Sequence, residues 1–320
     1  MPCVPLQCRT NLRPVNRYAA IDVGTNSVLL LVAERQPDGR FTAVEERSEI
    51  TRLGKGVDQT KTLSPDALET TLKVLERFAQ EARDLGAKGI VASATSAARD
   101  ASNGKVFLDG AKTRAGLDVE IISGDEEARL SFASAFSDFG GKTPLVVLDI
   151  GGGSTEFIYG SPQGEVTFRH SFDVGSVRLT ERHVKTDPPS QPELDAIDAM
   201  LNKTFAELPK PPAGFKMVGV AGTVTTLCAV ARRVEPYDPT LIHGASLPFD
   251  EVNAALGRLA SLPTSLRKTV PGLQPKRADV IVAGGLIFRA AMRALGVTEV
   301  IVSDRGLRWG LLSDRFGKTK

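Results

Sequence analysis

From Tyr18 onward, short apolar runs separated by polar turns carry the spacing of strands rather than helices. Positions 18–23 and 28–33 are two such runs, and the turn Pro37-Asp38-Gly39 leads to a third over 41–47. The period then changes. Ser64 is placed to cap a helix with Pro65 in its first turn, and Leu68, Leu72, Leu75 and Phe78 recur at helical spacing as far as Leu85. Strands are predicted over 89–94 and 119–122, with a helix beginning at Ser96 between them. Gly124-Asp125-Glu126-Glu127 then opens a long helix whose apolar face includes Ala128, Leu130, Phe132, Ala135 and Phe136.

At that point the pattern restarts. Apolar runs at 145–150, 157–159 and 166–172 repeat the opening strands, and 20–27 (AIDVGTNS) lies beside 147–154 (VLDIGGGS) with an offset of 127 residues between Asp22 and Asp149. An offset of one domain length marks an internal repeat, so the chain reads as two related α/β domains. Strand–helix alternation in each half implies mixed sheets with helices on their faces and a cleft between the two. The second half continues with a helix over 191–208, a strand over 217–221, a Gly222-Thr223 turn into a helix over 225–231, and helices after Phe249 and over 281–295. A strand over 299–303 and a helix over 307–316 end it. The expected division is an N-terminal extension over 1–16, a first domain over 17–124 and a second over 125–304, with the segment from about 305 to 320 returning to the first domain.

A chain of 320 residues with 42% apolar residues can bury two ordinary cores. Its net charge of +2 gives no ground for a nucleic-acid or membrane partner, although 258–320 carries twelve Lys/Arg against four Asp/Glu. That excess fits solvated helix faces or an electropositive wall for a long anion. Three cysteines, no apolar stretch long enough for a bilayer and an N-terminus without a hydrophobic segment point to a reducing, cytoplasmic setting.

Candidate chemistry gathers at the repeat. Three consecutive glycines after a strand weaken regular structure by roughly 0.5–1 kcal/mol each relative to Ala, a cost that a phosphate cradle explains. Gly151, Gly152, Gly153 and Ser154 form this turn, with Gly24, Thr25, Asn26 and Ser27 as the counterpart; backbone amides in such turns make anion nests. Asp149 and Glu156 flank the second turn as hard oxygen ligands suited to magnesium. Gly222-Thr223 at a strand-to-helix turn is a third anion loop or an ordinary connection. Thr95 ends a strand, and Arg99 lies one turn into the next helix, where it suits a phosphate or solvent. On spacing alone, the acids at 125–127 read as partners of a helix dipole. His170, His183 and His243 show no metal-ligand spacing, and nucleophile elbow, Walker lysine and zinc patterns are lacking.

Five motifs in order, namely 22–27 (DVGTNS), 123–129 (SGDEEAR), 149–156 (DIGGGSTE), 175–182 (GSVRLTER) and 303–307 (SDRGL), give the chain a resemblance to the exopolyphosphatase/guanosine pentaphosphate phosphohydrolase family over about 18–316. That family belongs to the actin-like, ribonuclease H-like fold superfamily, and the chain is similar to its short two-domain form. The resemblance implies that Glu127 is the general base, overriding the dipole reading. It also implies that Asp149 and Glu156, with Asp22 counted beside them, hold Mg²⁺ or Mn²⁺. By the same resemblance the three loops, Thr95 and Arg99 bind phosphate, and Arg178 is added to that set. The implied activity is release of orthophosphate from inorganic polyphosphate, with guanosine pentaphosphate as the alternative substrate and a homodimer as an assembly left open. An actin-fold kinase and a non-catalytic guanosine polyphosphate sensor are the competing classes.

Overall fold

The computed structural model describes residues 16–317. The extension expected over 1–16 therefore lies, but for Asn16, outside the described residues.

Strands β1 (Arg17–Val23), β2 (Ser27–Arg35), β3 (Phe41–Ile50), β4 (Ala87–Ala94) and β5 (Val119–Ile121) form one sheet in the order β3-β2-β1-β4-β5. The first three are antiparallel, and β4 and β5 add in parallel. Strands β6 (Leu145–Ile150), β7 (Thr155–Gly160), β8 (Val166–Phe172), β9 (Lys216–Val220), β10 (Ser246–Pro248) and β11 (Glu299–Val302) form the second, in the order β10-β11-β9-β6-β7-β8. Its β6–β7–β8 meander is again antiparallel, and β9 and β11 again add in parallel. The two sheets thus share one topology, with β10 as an extra antiparallel edge. This is the two-lobed α/β arrangement of mixed sheets that the repeat implies.

Each lobe buries its own core. Pro65–Asp84 lays Leu72, Leu75 and Phe78 on the first sheet with Ile21, Leu30 and Val32, while Ile281–Leu295 and Ala221–Arg232 pack with Leu148, Phe157 and Met217 in the second. The helix Gly124–Phe139 faces the second sheet through Ala128, Phe132 and Ala135. Its Leu130 turns the other way and joins Ala20, Leu31 and Ile122 of the first lobe around Leu307, Leu311 and Leu312 of the last helix, Leu307–Phe316. The crossing is close: a Cβ on Gly310 would stand 2.0 Å from the carbonyl oxygen of Leu130, so only glycine permits it. These two helices tie the lobes together at the base of the cleft.

Several short elements give no periodic signal in the sequence: the helices Val57–Thr60 and Thr264–Arg267, and the π-helical turn Ala111–Ala115; the amphipathic helix Ser176–His183 also falls outside the elements expected above. At 221 the structure also departs from expectation. The helix begins directly after β9, so Gly222 and Thr223 lie in its first turn, and the reversal falls on Ala221, whose φ is 69°.

Candidate active site

The two glycine turns are the same turn twice. Gly24 donates its amide to the carbonyl of Ser27 at 2.9 Å, and Gly151 donates to Ser154 at 3.0 Å. The turns also meet across the cleft: a Cβ on Gly152 would lie 2.9 Å from Thr25 Cβ, and one on Gly153 would lie 2.3 Å from Ser96 Oγ. Glycine at both positions is therefore required by the contact between lobes. Among the described residues the amides of Thr25, Asn26, Gly152 and Gly153 donate to no protein acceptor, the condition of an anion nest.

These turns line a cleft of about 690 Å³. Gly24, Thr25, Asn26, Ser27, Thr95, Gly151, Gly152, Gly153, Ser154, Gly222 and Thr223 all face it, as do Asp22, Asp149 and Glu127. Asp22 and Asp149 are the penultimate residues of β1 and β6, and Glu156 sits directly opposite Asp149 in the β6–β7 ladder. Ser131 donates to Asp149 at 2.7 Å and Ser171 to Glu156 at 2.6 Å. One oxygen of each of two acids, Asp22 Oδ1 and Glu156 Oε2, is buried with no partner.

Glu127 reaches the cleft from the first turn of its helix. Ser123 caps that helix, accepting from the amide of Glu126. Its neighbours behave as helix-dipole acids on the outer face: Glu126 pairs with Arg129 and Asp125 with Arg169. Glu127 instead turns inward, and Arg99 Nη1 stands 3.5 Å from its Oε2 while also donating to the carbonyl of Ile122. Arg99 is thus beside the catalytic candidate and not on the cleft wall.

Four carboxylates converging in a buried space resist ionisation. Burial, then Glu156, Asp149 and Asp22, hold the pKa of Glu127 well above the ordinary range, with Arg99 opposing. Burial and Asp149 push Glu156 up to about 8 and Asp22 up to about 7. A hard cation relieves exactly this kind of repulsion, and the two orphaned oxygens supply acceptors for one. Among the described residues no three His, Cys, Asp or Glu side chains close around a common metal position. The residues therefore fit an ion held by one or two carboxylates with water and substrate completing its shell, as magnesium prefers.

Arg178 differs from expectation. Its guanidinium donates to the carbonyl of Gly153 at 2.7 Å and to Asp58 at 2.6 Å, and it pairs with Asp100. Those partners occupy all three nitrogens behind the triglycine turn, away from the cleft. In this arrangement Arg178 does not line the cleft where the phosphates were expected. Three residues missed in the sequence do line the cleft: Arg277, Tyr237 and Arg308. Arg277 lies over Gly222, where a Cβ would come within 2.2 Å of its Nη1. Tyr237 donates to Asp304, and Arg308 pairs with Glu46. Among the described residues of the basic C-terminal stretch, only Arg277 and Arg308 reach the cleft; Arg289, Arg305 and Arg315 pair elsewhere with Asp198, Asp138 and Glu120. No helix among the described residues is long and apolar enough to cross a membrane.

Comparison with known proteins places this geometry. The chain is 36% identical over 315 residues to Exopolyphosphatase 2 of Mycobacterium tuberculosis, a match covering 93% of this chain and 98% of that protein. The solved Ppx/GppA family member of Aquifex aeolicus is 34% identical, with a TM-score of 0.80 over 94% of this chain and 98% of that one. An exopolyphosphatase from Cytophaga hutchinsonii, 26% identical, superposes with a TM-score of 0.85 over 95% and 99% of the two chains. The model of the Ppx/GppA phosphatase family matches residues 31–319. The chain belongs to the Ppx/GppA phosphatase family and is a hydrolase.

Proposed function

We propose that this hydrolase is a magnesium-dependent exopolyphosphatase that removes the terminal phosphate of inorganic polyphosphate. The observation that carries this reading is the closure of two identical glycine turns on each other beside four converging carboxylates. The names of the relatives support the same substrate.

Phosphoryl transfer needs positioning and charge neutralisation more than covalent chemistry. The free amides of the two turns, with the hydroxyls of Thr25, Ser27, Thr95 and Ser154, would bind the terminal phosphates. One or two of Asp149, Glu156 and Asp22 would hold the metal, which when bound would neutralise charge on the phosphoryl oxygens. Glu127 would take the proton of the attacking water, and Arg99 orients its carboxylate. Arg277 would meet phosphates further along the chain.

A second reading, hydrolysis of guanosine pentaphosphate, draws on the far end of the cleft. Val234, Pro236, Tyr237, Leu273 and Pro275 make an apolar wall that a bare chain of phosphates does not require and that suits a purine base. Phosphate release from short polyphosphate, long polyphosphate and guanosine pentaphosphate, measured side by side with magnesium and again with chelator, tests both. Faster turnover of polyphosphate, lost with chelator, is the expected result. Preference for the nucleotide favours the second reading, and tight nucleotide binding without release would make the protein a sensor.

A further inference from the structure

The ion-pair network behind the triglycine turn joins the two lobes at one buried point. From the second lobe, helix Ser176–His183 presents Arg178, Glu181 and Arg182, whose spacing of three and four residues sets them on one helix face. From the first lobe, Asp58 and Asp100 come from the helices Val57–Thr60 and Ser96–Asp100. Asp58 accepts from both arginines, at 2.6 Å from Arg178 Nη1 and 2.6 Å from Arg182 Nη2. Arg178 Nη2 reaches Asp100 and, at 3.4 Å, Ser96 Oγ. Glu181 accepts the amide of Gly56 at 2.9 Å. Arg178 and Asp58 are each less than a tenth exposed at the side chain, so their charges depend on each other rather than on water.

The remaining donor of Arg178 leads to the site. Its Nε holds the carbonyl of Gly153 at 2.7 Å, and the amides of Val177 and Arg178 hold the carbonyl of Gly152 at 2.9 and 3.1 Å. With those carbonyls fixed from behind, the peptide planes of the turn are fixed as well, and so is the direction of the amides that face the cleft. Ser96, beside Thr95 of the opposite wall, belongs to the same network.

We propose that Arg178 is a positioning residue which ties docking of the two lobes to formation of the phosphate cradle. When Asp58 and Asp100 engage its guanidinium, Nε is aimed at Gly153 and the turn is set; when the lobes part, the guanidinium loses both carboxylates and the turn loses its support. The kinetic part of this inference rests on the polyphosphatase reading, whereas the structural part does not.

The test uses Asp58→Asn, Arg178→Lys and Arg182→Gln in the full chain. Arg178→Lys keeps a cation for the carboxylates but cannot reach both aspartates and Gly153 in the same geometry. Expected in both Asp58→Asn and Arg178→Lys is a KM for tripolyphosphate raised about tenfold or more with kcat within about threefold, the signature of lost uniform binding. Arg182→Gln, which leaves Arg178 paired, should raise KM less. Amide hydrogen exchange of the ligand-free protein gives an arm independent of activity: peptides covering 150–156 and 174–180 should exchange at least about tenfold faster in the first two variants. Unchanged KM in both, or unchanged exchange of those peptides, overturns the proposal, as does a fall in kcat at constant KM. If Asp58→Asn fails to fold, the two arginine variants decide the matter. If the wild type releases no phosphate, the functional reading falls, and the exchange arm still judges the role of Arg178.

Discussion

Gly152→Ala isolates the contact between the two phosphate turns. The added Cβ would stand 2.9 Å from Thr25 Cβ, 3.1 Å from its Cγ2 and 3.3 Å from the amide nitrogen of Asn26. Carbon atoms rest at about 3.5–4.0 Å, so the turns must part by about 0.6 Å or more. The root of a side chain and a backbone nitrogen cannot rotate out of the way, unlike the end of a flexible side chain. Such overpacking costs about 1–3 kcal/mol, which corresponds to a Tm lower by a few degrees. A misplacement of about 1 Å between groups that hold one reacting centre can cost about a hundredfold in rate. The expected outcome is therefore a kcat/KM for tripolyphosphate reduced by about 10- to 100-fold in a protein that still unfolds cooperatively. Gly257→Ala is the control, because a Cβ there meets nothing within 4 Å and the helix around it gains about 0.5–1 kcal/mol. It should raise Tm slightly and leave the rate unchanged. Wild-type kcat/KM in Gly152→Ala would show that the two turns do not share a substrate.

Glu127→Gln should lower kcat by about 10²–10⁴-fold with little change in KM and should remove the acid limb of the rate profile, which a titration of phosphate release against pH would show. The raised pKa values of Asp22 and Glu156 also make a stability prediction. Their folded values of about 7 and about 8 lie above the unfolded ones, so the folded state binds more protons, and metal-free protein should lose Tm as pH rises from about 5 to 8. Glu156→Gln should flatten that decline in thermal scans. Magnesium should reverse the decline at pH 8 without substrate, since an ion that binds only the folded state raises Tm with its concentration. Arg277→Ala should raise KM for polyphosphate by about tenfold or more while kcat stays near wild type, because a charge-assisted hydrogen bond contributes about 1.5–3 kcal/mol.

The repeat was legible because a buried strand ending in Asp-x-Gly has few other uses, and the shared offset of 127 residues gave both the topology and the opposed turns. Glu127 was not legible from spacing, since an acid in the first turn of a helix is common; only its inward direction, set by the packing of Ala128 and Leu130 on two different lobes, separates it from Glu126. Arg178, which only the resemblance added to the phosphate set, is held by Asp58 and Asp100, 120 and 78 residues away in sequence. Arg277 ends the three-residue 3₁₀ turn Pro275–Arg277 and Tyr237 lies in an irregular segment, both too short for a periodic pattern, and only the fold brings them to Gly222 and Asp304.

The two copies of the repeat differ at single charged positions that reach the cleft. Topology pairs β1 with β6, the strand-to-helix turn after β4 with the one after β9, and the helix after β5 with the helix after β11. The turn survives in both copies, and on the proposed reading each lobe would offer amides to the same anion. The carboxylates survive only in part: Asp22 corresponds to Asp149, but with the offset of 127 Glu156 corresponds to Leu29, and where one crossing helix brings Glu127 to the cleft the other brings Arg308. A fully symmetric cleft would hold either two sets of acids, whose repulsion in a buried space would be severe, or none. Keeping Glu127 and Glu156 to one copy leaves the site with four acids, Asp22 and Asp149 included, rather than a fully doubled set. On the proposed reading, a chain of phosphates would have its reacting end at these acids and would extend towards Arg277, which lines the same cleft.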